Sequence, residues 1–76
     1  MKELLEYLAR SLVDQPDDVR VDVIEGEASL ILQLHVAPDD VGQVIGKQGR
    51  IAKSLRTLVK AAAVKEEKKA IVEIID

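Results

Sequence analysis

The chain reads as an α+β fold in which three helices lie on one face of a three-stranded sheet. Two observations predict this. The apolar residues switch between helical and strand periodicity in the order helix, strand, strand, helix, helix, strand. A pair of glycines three residues apart, Gly46 and Gly49, separates the second and third helices. Seventy-six residues suffice for one small domain, 1–76, built as two layers around one core.

The first helix is expected over Lys2 to Val13. Leu4, Leu5, Leu8 and Leu12 recur at helical spacing, with Lys2, Glu3, Glu6 and Arg10 on the other side. Tyr7 is expected to pack. Asp14-Gln15-Pro16-Asp17-Asp18 breaks the helix. Val19 to Ile24 alternates, with Val19, Val21 and Val23 on one face. Glu25-Gly26-Glu27 is a turn. Leu30, Leu32, Leu34 and Val36 then alternate with Ile31, Gln33 and His35, so the short link implies an antiparallel hairpin. Pro38 opens the second helix, and Asp39 and Asp40 complement its N-terminal dipole. This helix carries Val41, Val44 and Ile45 and ends at Gly46. The third helix runs from Arg50 to about Lys65, with Ile51, Ala52, Leu55, Leu58, Val59 and Ala62 as its apolar stripe. A charged link leads to a last strand, Ala70 to Ile75, whose inward residues are Val72 and Ile74. Ile24, Ile31, Ile71 and Ile75 point away from the helical layer, an apolar set on an open sheet face.

Composition narrows the function. There is no cysteine, which removes disulfides, thiolate metal sites and cysteine nucleophiles. No apolar run is long enough for a signal peptide or a membrane span, so the expected location is the cytoplasm, with no membrane partner. The net charge is −3, yet Val41 to Lys65 contains no acid and holds Lys47, Arg50, Lys53, Arg56, Lys60 and Lys65, six of the eleven basic residues. One positive surface is thus set against an acidic background. His35 is the single histidine, the serines and threonine have no base at a recognisable spacing, and the Asp17-Asp18 and Asp39-Asp40 pairs read as a turn and a helix start. No catalytic, metal or cofactor site is expected.

The glycine pair carries the chemistry. Gly46-Lys47-Gln48-Gly49 alone is weak, because a glycine pair at that spacing arises by chance in roughly one chain in three of this length. Its setting sharpens it. Gly46 closes one helix, where a residue without Cβ is often needed, and Gly49 opens the next, where unpaired N–H groups and the dipole favour an anion. Both let a sugar-phosphate backbone come close. Lys47 at the tip, Arg50 in the first turn and Lys53 one turn on supply the charge.

Val44-Ile45-Gly46-Lys47-Gln48-Gly49-Arg50-Ile51 resembles the signature of the KH domain, whose GXXG loop clamps about four nucleotides of single strand. Two strands before the motif and one after it match the bacterial, type II form, over the whole chain, as in small stand-alone bacterial KH proteins. The resemblance implies a single-stranded RNA-binding protein, a post-transcriptional regulator or RNA chaperone linked to cell elongation and division. Gly46, Lys47, Gln48 and Gly49 would be the clamp and Arg50 and Lys53 its flanking cations. Val41, Val44, Ile45 and Ile51 would build or support the apolar floor. The edge of the Ser29–Val36 strand, with Leu34 or Val36, would form the opposite wall. The implied partners are RNA and either a second copy or a larger KhpB/Jag-like KH protein. The competing reading is a protein-interaction module that mainly pairs with another KH protein.

Overall fold

The computed structural model describes residues 1–75. Helix α1 spans Lys2–Leu12, strand β1 Arg20–Glu25, strand β2 Ser29–His35, helix α2 Val41–Ile45, helix α3 Arg50–Val64 and strand β3 Lys69–Ile75. Short 3-10 turns at Pro16–Asp18, Pro38–Asp40 and Lys47–Gly49 join them. The expected order and α+β class are met, and the three helices lie on one face of the sheet.

The sheet order is β1-β2-β3, with β1 antiparallel and β3 parallel to β2. The chain therefore crosses over through α2 and α3 to reach the far edge, as a parallel connection requires. The core is aliphatic. Leu5 and Ala9 of α1, Val21 of β1, Leu32 and Leu34 of β2, Val44 of α2, Leu55, Val59 and Ala63 of α3, and Val72 of β3 meet between the layers. Strand β2 is central, and its Leu30, Leu32 and Leu34 are all buried.

Several side chains depart from the expected pattern. Tyr7 does not pack: it is 70% exposed. Leu4 is also exposed, because α1 buries the Leu5–Ala9 side of its stripe. Val23 is exposed because the helical layer covers only the start of β1 and the residue before it, where Val21 and Val19 are buried. Leu58 is 49% exposed. It stands about 100° around α3 from Val59, at the margin of the buried stripe, and Ala63 rather than Ala62 completes that stripe.

Asp40 is a further difference. Its carboxylate accepts the backbone N–H groups of Gln15 at 3.0 Å and Asp14 at 3.3 Å, and the residue is 1% exposed. It makes no side-chain cap on α2. The acid read as a helix-dipole partner instead staples the chain after α1 to the start of α2. Three or more sequence elements separate the two groups, so local pattern carries no trace of the bond.

Candidate nucleic-acid interface

The site is built on the junction between α2 and α3. Val41–Ile45 makes barely more than one helical turn before Gly46, whose N–H donates to Gly42 O at 2.9 Å and closes it. Gly46 then takes φ 74° and ψ 177°, a region open essentially to glycine alone. A Cβ there would lie 2.6 Å from Ile51 Cγ1. Ile51 thus seats directly against the Gly46 backbone, and both strain and crowding demand glycine. Gly49 also has a positive φ, 73°, but space is open around it. Between them Gln48 adopts φ 57°, ψ 27°. Three positive φ values in four residues bend the chain sharply into α3.

This turn leaves donors uncommitted. Gly49 N–H reaches Gly46 O at 3.2 Å, and Arg50 N–H reaches Lys47 O. Among the described residues, no backbone carbonyl accepts from the N–H groups of Lys47 or Gln48. Two adjacent free donors at the mouth of a helix suit a phosphate oxygen. The side chains of Lys47 and Gln48 are exposed beside them, and Arg50 leans back so that its guanidinium lies 3.4 Å from Gln48 Oε1. Among the described residues, Lys47, Arg50, Lys53 and Lys60 take part in no ion pair. Their positive charge is therefore not offset within the molecule.

The structure brings most of the expected residues together and changes the part of others. Ile45 is exposed next to Gly46, and Ile51 is half-buried behind it. Val44 is fully buried, so it does not touch a ligand and instead anchors α2 in the core. The expected opposite wall is also corrected. Strand β2 is paired on both sides and has no free edge, and Leu34 and Val36 are buried in the core. Arg56 does not join the open basic face: its Nε donates to Val72 O of β3 at 3.3 Å. On the outward side of α3 a shallow groove is lined by Arg50, Lys53, Ser54, Thr57 and Leu58. The hydroxyls of Ser54 and Thr57 donate to Arg50 O and Lys53 O, both at 3.0 Å, leaving mainly hydrocarbon to face outward.

Among the described residues no three His, Cys, Asp or Glu side chains gather as a metal site, and no helix is long and apolar enough to cross a membrane. The lone histidine, His35, sits on the sheet with its buried Nε2 3.1 Å from Asp22 Oδ2 and without a hydrogen-bond partner.

Comparison with known proteins gives a family and a fold. The family model for the KH domain of KhpA/KhpB matches residues 2–74. The RNA-binding protein KhpA of Clostridium perfringens is 65% identical over 75 residues, covering 99% of this chain and 100% of the relative. The protein of the same name from Caldanaerobacter subterraneus subsp. tengcongensis is 61% identical over the same shares. Among solved structures, Era, crystallised with MgGDPNP and nucleotides 1506–1542 of 16S ribosomal RNA, superposes with a TM-score of 0.63 over 96% of this chain and 28% of Era. At 16% identity that likeness speaks to the fold.

Proposed function

Since the chain belongs to the KhpA/KhpB KH-domain family, which is not a family of enzymes, we propose that it binds single-stranded RNA through the Gly46–Gly49 turn. The observation that carries this reading is the pair of free N–H groups at Lys47 and Gln48, framed by two glycines and by the unpaired cations Lys47, Arg50 and Lys53. The N–H pair receives a phosphate oxygen, and the glycines admit the backbone without side chains in the way. The cations neutralise neighbouring phosphates, and Ile45 offers an apolar contact to a base.

With no aromatic near the loop, the usual stacking contribution of about 1–3 kcal/mol per base is missing. Binding is therefore weak per domain and little concerned with sequence. Pairing of two domains offsets this through avidity on a longer strand. The outward face of α3 supports such pairing: Leu58 and Val64 are 49% and 72% exposed, and the hydroxyls of Ser54 and Thr57 beside Leu58 already donate within their own helix. The partner is a second copy or a KhpB/Jag-like protein. We place the protein in the cytoplasm as a post-transcriptional regulator serving cell elongation and division, a role that rests on the family alone.

The test is a salt titration of RNA affinity. If about four phosphates are held, log affinity falls against log salt with a slope near roughly −3. A slope near zero removes the clamp. The second reading, a module that only pairs with another KH protein, is favoured by the same exposed α3 face. It predicts that pairing covers Gly46 and Gly49 and competes with RNA.

A further inference from the structure

The sheet face turned away from the helices carries side chains in ordered rows. One row is Ile24, Ile31 and Ile71, in register across all three strands. Ile24 is 51% and Ile71 41% exposed, with Ile31 half-buried between them. The next row along is Asp22, Gln33 and Glu73, where Gln33 Nε2 donates to Glu73 Oε1 at 3.2 Å. Beyond it come Arg20, His35 and Ile75. On the other side of the isoleucines lie Ser29 and Lys69, then the hairpin tip with Glu27.

We propose that this face docks a second copy of the chain, sheet on sheet, about a two-fold axis that crosses the strands over the isoleucine row. The proposal stands apart from the RNA reading. Stacked sheets lie about 10 Å apart, close enough for isoleucine rows to interdigitate. An axis across the strands keeps each strand over its own copy and reverses its direction. On β3 it centres on Ile71, so Lys69 comes to face Glu73 of the partner subunit. Symmetry repeats that pair. On β1 and β2, Arg20 and His35 come to lie over the hairpin tip that bears Glu27 of the partner subunit.

Charge selects this arrangement. An axis along the strands would instead lay β1 over β3, and Asp22, which Arg20 offsets in part at 3.2 Å, would face Glu73 of the partner subunit and leave Lys69 without an acid opposite it. Only the axis across the strands joins apolar row to apolar row while pairing opposite charges. Three short strands offer less area than a stable dimer buries, so the contact is weak in free solution. It strengthens where copies are held at high local concentration. Because the face lies opposite α3, it can act together with pairing through α3, and two such two-fold contacts link copies into open chains.

The test is sedimentation equilibrium of the full chain up to millimolar concentration, with circular dichroism to verify folding. Lys69→Glu and Glu73→Lys are measured singly and together, each also in a Leu58→Glu background that removes pairing through α3. The proposal expects concentration-dependent association that persists in Leu58→Glu. Each single swap weakens it roughly five- to tenfold or more, and the double swap restores it. It is overturned if Leu58→Glu stays monomeric throughout, if the single swaps leave association unchanged, or if the double swap fails to restore it.

Discussion

At the scale of single residues, the two glycines of the turn look alike in sequence and differ in physics. Gly46 sits in a backbone region closed to other residues and has Ile51 pressed against it, whereas Gly49 needs only a positive φ in open space. Gly46→Ala is expected to destabilise the fold by about 2–4 kcal/mol, and Gly49→Ala by about 1 kcal/mol, in urea unfolding. Equal costs would mean that the Ile51 contact is not what fixes Gly46. Asp40 is the second decisive residue. Asp40→Ala leaves the N–H groups of Asp14 and Gln15 without their acceptor and is expected to cost about 1–3 kcal/mol by the same measurement. A change below a few tenths would contradict the staple.

At the scale of elements, α3 divides its labour by angle. One side buries Ala52, Leu55, Val59 and Ala63, and the opposite side presents Arg50, Lys53 and Lys60 without counter-charges. Arg56 stands between and is engaged by the Val72 carbonyl at the edge of β3, where it also blunts an open strand edge. Lys53→Glu should therefore weaken RNA binding and flatten the salt dependence by about one unit of slope, while Arg56→Gln should do less to binding. Fluorescence anisotropy at several salt concentrations checks this, and equal effects would contradict the division. These elements were largely legible in the sequence, because periodicity reports which face of a helix or strand is apolar. The expected bounds of α1, β2 and α3 fall within about two residues of those observed. Periodicity does not report which strand neighbours which, so the central place of β2 was not legible, nor the loss of its edge as a wall. For the same reason Val44 reads as apolar near the loop, and only packing reveals that it is wholly buried. Leu58 and Tyr7 show the converse: an apolar residue at helical spacing remains exposed when the helix offers more apolar positions than the sheet can cover.

At the scale of the whole molecule, an acidic chain presents one cationic edge. The acid-free stretch from Val41 to Lys65 folds into α2, the glycine turn and α3, so the positive charge starts at the turn with Lys47, Arg50 and Lys53 and continues along α3, while all fourteen acids lie elsewhere in sequence. On the proposed reading, such a charge distribution repels nucleic acid over much of the surface and attracts it at the turn, which orients binding. The central claim is that the backbone at the tip of this turn holds a phosphate. The measurement that tests it most directly is anisotropy of a fluorescent single-stranded RNA pool with the wild type and with the double variant Lys47→Asp, Gln48→Asp. Both side chains are exposed and make no core contact, so circular dichroism should show an unchanged fold. The account predicts that the wild type binds and the folded variant does not. A wild type that fails to bind, or a variant that binds equally well, would contradict it.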